Sequence, residues 1–157
     1  MATGPERGSN SAACQSLDVM ILVLGYEGQD MDRSKGIAYC GLVCAACEIV
    51  NCVDCRDDGC LNGEWCRNRS CCRARGIDGC WQCSDFPCSG TMFDKTRVRA
   101  FVLFIRQHGE AFLLDCLEKN EHAGIRYHDP GKLTGDYDLP ETEVGVFQIL
   151  VFGMEKS

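Results

Sequence analysis

Apolar residues recur at helical spacing in the last third of the chain. Val98, Phe101, Val102 and Ile105 stand at i, i+3, i+4 and i+7, the stripe that one face of an α-helix buries. Ahead of them, Thr91-Met92-Phe93-Asp94 matches a helix-start signature. The hydroxyl caps a backbone N–H and the acid favours the positive helix end. Gly109 interrupts, and Phe112, Leu113, Cys116 and Leu117 continue the stripe as a second helix or a bent extension. Cys116 sits within that stripe and reads as a small buried hydrophobe. Residues 121–140 are polar and turn-rich, with Asp129-Pro130-Gly131 as a turn. Val144, Phe147, Leu150 and Val151 then mark a last helix from about Pro140 to Phe152. Pro140, Glu141 and Glu143 suit its first turn and Gly153 its exit.

The rest of the chain is patterned differently. Residues 1–38 have loop composition and read as a partly disordered leader. Within them Val19 to Leu24 is apolar enough for a short strand. Cys14 there is a bystander. Residues 39–90 are rich in glycine and short turns, with little periodicity of either kind, and predict loops, knuckles and a short hairpin. Residues 91–157 form the helical part packed on that module. The fold expected is therefore a small, metal-stabilised α+β unit: a Cys-rich knuckle or ribbon-like module against two or three C-terminal helices.

Metal enters because of where the cysteines lie. Twelve of fourteen fall between Cys40 and Cys88, a stretch with only ten large apolar side chains. So few cannot offset the entropy of ordering that many residues, so bound metal or crosslinks must hold this region. Compartment separates the two. The one apolar run near the start, Leu17 to Leu24, has eight residues, includes Asp18 and lacks a small-residue cleavage site. It is also far short of the roughly 20 residues of a membrane span. Without an export signal the expected location is cytoplasmic, where thiols stay reduced and a cysteine cluster reads as metal-binding.

Three Cys-x-x-Cys pairs stand out: Cys44/Cys47, Cys52/Cys55 and Cys80/Cys83. Two intervening residues let a tight turn aim both sulfurs at one ion, so each pair supplies half of a tetrahedral S₄ site. With the interspersed cysteines the expected ligands are Cys40, Cys44, Cys47, Cys52, Cys55, Cys60, Cys66, Cys71, Cys80, Cys83 and Cys88. Two or three zinc ions are expected: two four-thiolate sites use eight sulfurs and leave spares, three would use all twelve cysteines of the stretch, and the all-thiolate character suits closed, structural sites. Cys71 and Cys72 are adjacent and point apart, so one of them is left out of a shared ion. An iron–sulfur centre is the rival, since the same thiolates ligate clusters. Cys40-x3-Cys44-x2-Cys47 has the radical S-adenosylmethionine spacing, but too little chain follows it for that barrel. A thioredoxin-like site would need a βαβ context that the pattern lacks.

Net charge is −7 with a pI near 4.9, and bound thiolates add to the negative charge. This argues against nucleic acid, whose binders rely on cations at phosphates. Arg67, Arg69, Arg73 and Arg75 form a local exception around Cys71 and Cys72, and read as guanidinium donors that offset thiolate charge. The partner is then a protein or a small molecule, with no membrane involved. Outside the cysteines, His128, Asp136 and Asp138 are the candidate catalytic residues of a small enzyme, His128 as base or ligand beside a carboxylate. The alternative there is a turn-rich connector with Tyr137 packed inside. His108 and His122 read as solvent-facing.

The run Tyr39-Cys40-Gly41-Leu42-Val43-Cys44-Ala45-Ala46-Cys47 resembles the opening of domain-of-unknown-function family 3795. Cys52-Val53-Asp54-Cys55 is similar to its second element, with Asp54 in place of Gly. Cys66, Cys71, Cys80, Cys83 and Pro87-Cys88 follow the remainder, and Cys72 falls where the family has a small non-ligand residue. Gly124 to His128 and Gly135 to Asp138 also look like segments of relatives, so the resemblance spans about residues 39–153. It implies a metal-binding protein that holds zinc and carries no established reaction. The function expected is a zinc-stabilised binding or adaptor module. An iron–sulfur protein for electron transfer or redox sensing is the first alternative, and a small enzyme the second.

Overall fold

A computed structural model of the chain describes residues 30–47, 54–56 and 66–155. Four α-helices run through them: α1 Arg67–Arg75, α2 Thr96–His108, α3 Glu110–His122 and α4 Glu143–Phe152. Single 3-10 turns occupy Arg33–Lys35, Cys44–Ala46, Cys80–Gln82, Met92–Asp94 and Asp136–Asp138. No strand is present among the described residues, so the α+β expectation is corrected to an all-α class. In place of the ribbon-like hairpin predicted within 39–90, the described residues of that stretch hold α1 and two one-turn 3-10 segments. The strand expected over 19–24 lies outside the described residues.

Helix α2 is the centre of the molecule because it is buried on two sides. Ala100, Phe101, Phe104 and Ile105 join Leu113, Cys116 and Leu117 of α3 and Val146, Ile149 and Leu150 of α4 in one apolar core. Val98 and Val102 face a second core, in which Cys40, Cys55, Cys72 and Cys80 pack with Ala38 and Phe93. The cysteines therefore sit on the helical part rather than beside it. Cys116 belongs to the first core, as its place in the apolar stripe predicts. Among the described residues no helix is long and apolar enough to cross a membrane.

Local chemistry sets the helix ends. Thr91 does cap a turn, accepting the Phe93 N–H at 3.2 Å, but that turn is Met92–Asp94 and α2 begins only at Thr96. Gly109, at φ +89°, breaks the chain between α2 and α3, while Phe104 and Phe112 stack across the bend with centroids 5.6 Å apart. Thr142 caps α4 by accepting the Gly145 N–H at 3.2 Å. The last helix therefore starts at Glu143 and not at Pro140. Asn120 of α3, fully buried, donates to Ile149 O at 2.8 Å and to the Tyr137 hydroxyl at 3.0 Å, fastening α4 to the rest.

The segment before the first cysteines is fastened as well. Arg33 pairs with Asp115 at 2.7 Å and Glu118 at 3.0 Å on α3, and Ile37 and Ala38 are buried. At Gly41 the turn lies against α2 so closely that a Cβ would stand 2.9 Å from Val102 Cγ2. Its φ of +94° also disfavours any side chain.

Candidate metal centre

Two of the three Cys-x-x-Cys pairs can be compared directly, and they share one backbone form. In Cys44-Ala45-Ala46-Cys47 the Cys47 N–H donates to Cys44 O at 3.1 Å. In Cys80-Trp81-Gln82-Cys83 the Cys83 N–H donates to Cys80 O, also at 3.1 Å. Each is a single 3-10 turn entered from an extended residue. Each leaves through a cysteine in extended geometry, φ/ψ −79°/128° at Cys47 and −86°/128° at Cys83. A backbone turn of this form is what two intervening residues need if both thiols of a pair are to reach one ion. The third pair includes Cys52, which with Cys60 lies outside the described residues.

Both turns are held from outside. Val43, just before the first, donates its N–H to the Tyr127 hydroxyl at 2.8 Å. The second receives Arg106 from α2, whose Nε donates to Trp81 O at 2.9 Å. Its Nη2 reaches Cys80 O at 3.5 Å and also Cys83 O, and the guanidinium lies 4.8 Å over the Phe86 ring. The Cys80 N–H donates to Tyr39 O at 2.8 Å, linking the second turn to the stretch that carries Cys40.

Around them the sulfurs divide by burial. Cys40, Cys55, Cys72, Cys80 and Cys83 are buried; Cys44, Cys47, Cys66, Cys71 and Cys88 are partly exposed. Every described cysteine is a free thiol. Burial pushes the Cys40 thiol up, and the neighbouring Cys66, Cys55 and Cys80 push it further. Cys72 and Cys80 are raised chiefly by burial too. A buried thiolate among other thiolates is costly unless a cation is brought to it.

Helix α1 was not anticipated. Its Arg-Asn-Arg-Ser-Cys-Cys-Arg-Ala-Arg sequence has no aliphatic stripe, so periodicity gives no signal. It ends in a Schellman motif: Gly76 in the left-handed region at φ +65°, with the Ile77 N–H donating back to Cys72 O at 3.1 Å. Of its arginines Arg75 meets a thiol, as their position suggests, whereas Arg69 and Arg73 reach carbonyls. Arg75 donates to Cys83 Sγ at 3.2 Å and pairs with Asp85 at 2.8 Å, Asp85 first and the thiols second raising its pKa. Arg69 donates to Cys55 O at 3.1 Å, and Arg73 to Arg56 O at 3.2 Å. Arg56 in turn donates to Ile37 O at 2.8 Å and lies 4.4 Å over the Tyr39 ring.

The donor chemistry suits a thiophilic ion. Tetrahedral zinc at about 2.3 Å from each thiolate separates the sulfurs by about 3.8 Å. Cys72 Sγ and Cys80 Sγ lie 3.6 Å apart. Among the described residues no three cysteine sulfurs lie within 4.8 Å of one another. The described trio that does come this close is Asp30, Glu121 and His122, on the surface. There Glu121 accepts the Met31 N–H at 3.2 Å.

Of His128, Asp136 and Asp138, the two carboxylates fasten the 125–139 loop. Asp136 accepts the Arg126 N–H at 2.7 Å and Asp138 accepts the Gly135 N–H at 2.7 Å. Asp138 also pairs at 3.2 Å with Arg97, which is 3% exposed and reaches in from α2. Arg97 donates to Tyr127 O at 2.9 Å and Leu133 O at 3.3 Å, and lies 4.6 Å over the Tyr127 ring. Its Nε is buried without a hydrogen-bond partner. His128 is 7% exposed beside Tyr127, and burial first, then Arg97, lowers its pKa. Asp138 thus pairs with the guanidinium whose charge acts on His128, whereas Asp136 is engaged with the backbone of Arg126. Tyr137 is buried, as the connector reading expects. His122 is largely exposed, and His108, on the surface, rests on Phe104 and Phe112.

Sequence reasoning missed Asn68, Arg97, Arg106 and the bond made by Tyr127. Each acts on a residue far along the chain, and spacing carries no trace of that. Comparison with curated proteins and with solved structures finds no match. A family model does match, and its segment holds nine of the cysteines, Cys52 through Cys88. Over residues 48–93 the chain matches the family described as "Protein of unknown function (DUF3795)", the one its cysteine spacing resembles.

Proposed function

We propose that this chain is a metal-binding protein in which cysteine thiolates hold zinc at structural sites, and that it serves as a binding or adaptor module. The observation that carries this reading is the matched pair of Cys-x-x-Cys turns, each pinned by a residue of the helical part. Zinc supplies a divalent, redox-silent charge that makes clustered thiolates tolerable, and holding it is then part of folding. A cytoplasmic setting fits this reading, since thiols stay reduced and able to bind metal there. The ligand set is Cys40, Cys44, Cys47, Cys52, Cys55, Cys60, Cys66, Cys71, Cys80, Cys83 and Cys88; two four-thiolate ions use eight of them, and a third ion would require the twelfth cysteine of the stretch as well. The partner is a protein or a small molecule, and the acidic balance disfavours nucleic acid.

Elemental analysis and absorbance of anaerobically purified protein test this. Colourless protein with two or three zinc per chain supports it. Brown protein with iron and near-stoichiometric acid-labile sulfide replaces it with the iron–sulfur alternative.

A further inference from the structure

Adjacent residues on an α-helix point about 100° apart, so Cys71 and Cys72 cannot face the same neighbour. Helix α1 uses both directions on the second Cys-x-x-Cys turn. Asn68 and Cys72, one turn apart, face Cys80: Asn68 Nδ2 donates to Cys80 Sγ at 3.7 Å, and Cys72 Sγ lies 3.6 Å from it. Arg75, one turn on from Cys71, donates to Cys83 Sγ at 3.2 Å. The helix is thus seated across the turn, with one face for each of its two sulfurs.

Cys72 is the most buried of the described cysteines, at 1% exposure, while Cys71 is partly exposed. Its distance from Cys80 is far longer than the roughly 2.05 Å of a disulfide and close to the edge of a tetrahedral thiolate site. Asn68 meanwhile gives Cys80 Sγ an N–H donor, the kind of outer contact that orients a ligand.

We propose that Cys72, the cysteine that the family resemblance sets aside, is a metal ligand sharing one ion with Cys80. The proposal rests on the metal-binding reading above and adds a residue to its ligand set. Cys71 then serves the Cys83 side, and the two neighbours divide between the two sulfurs of one turn. The rival is a packing thiol in simple contact with Cys80.

The full-length protein, loaded anaerobically with ¹¹³Cd, decides between them by ¹H–¹¹³Cd correlation. Cross-peaks from the Hβ protons of Cys72 and Cys80 to the same cadmium resonance are expected. A Cys80 cross-peak with none from Cys72 overturns the proposal while leaving metal binding intact. No bound cadmium at all overturns both. In parallel, Cys72→Ser and Cys72→Ala should weaken zinc retention against a chelator by at least about tenfold, with Cys116→Ser unchanged. Equal retention in all three overturns the proposal. If the Cys72 variants do not fold, the cadmium spectrum of the unaltered chain still gives the answer.

Discussion

The Tyr127 hydroxyl accepts the backbone N–H of Val43 at 2.8 Å, a bond between residues 84 positions apart. Val43 is fully buried and immediately precedes the Cys44 turn, while Tyr127 stacks on Phe101 of α2 at 6.1 Å between centroids. One phenol therefore ties the first cysteine pair to the helical core. Arg106 does the same for the second pair from α2 itself. Cysteine geometry and helix packing are coupled in this protein, and most of the tests below act on that coupling.

Replacing Tyr127 by Phe keeps the ring and strands the Val43 N–H. A buried donor without a partner costs about 1–3 kcal/mol. Denaturant unfolding of the metal-loaded Tyr127→Phe variant should show a loss in that range, with faster amide exchange at Val43. An unchanged midpoint would mean that the bond is dispensable.

Arg106→Ala removes the donor shared by the carbonyls of Trp81, Cys80 and Cys83. The variant should fold, because Arg106 is at the surface end of α2, yet release metal more readily. Outer contacts of this kind are worth about 10–100-fold in affinity. Competition against a chromogenic chelator measures it, and wild-type retention would show that the turn holds its shape unaided.

Arg97 is the inner counterpart. Its Asp138 partner, two carbonyls and the Tyr127 ring all depend on one buried guanidinium. Arg97→Ala strips the cation from Asp138 and the donor from both carbonyls, and breaking a buried pair of this kind costs about 3–5 kcal/mol. Thermal and urea unfolding should detect that loss. A change below about 1 kcal/mol would show that the loop is held by other contacts.

Acid should destabilise the same loop through His128. Its pKa is depressed in the folded protein by burial and Arg97, with Lys95 acting in the same direction and Asp138 opposing. The unfolded chain then binds the proton more readily. Stability from the neutral imidazole is complete above the unfolded value, about 6.5, and falls as pH drops toward the lower folded value. The slope is at most about 1.4 kcal/mol per pH unit. Because acid also strips thiolate-bound metal, the informative quantity is the difference between wild type and His128→Gln. That difference should shrink between pH 7 and 5, and a constant difference would contradict the assignment.

Much of this molecule was legible in the sequence wherever ordinary apolar side chains carry the packing. Val98, Phe101, Val102 and Ile105 located α2, and Leu113, Cys116 and Leu117 located α3, because aliphatic residues at helical spacing mean a buried face. Helix α1 was not legible, since cysteine and arginine take the places of its apolar residues. The absence of strands among the described residues was misjudged for a related reason. Glycine-rich, cysteine-rich sequence fits a hairpin and a 3-10 turn equally well, and only the seating of each turn on α2 or Tyr127 separates them. Cysteine density identified the candidate site, but not the arginines, Asn68 and Tyr127 that surround it. His128, Asp136 and Asp138 read as an acid–base cluster, whereas Arg97, the partner of Asp138, reads like any charged helix residue.

The account stands most directly on the metal content of full-length protein purified anaerobically, before and after exhaustive chelation under reducing conditions. It predicts two or three zinc per chain, and rapid amide exchange across residues 40–88 once they are removed. Metal-free protein whose exchange in that stretch equals the loaded form would contradict it.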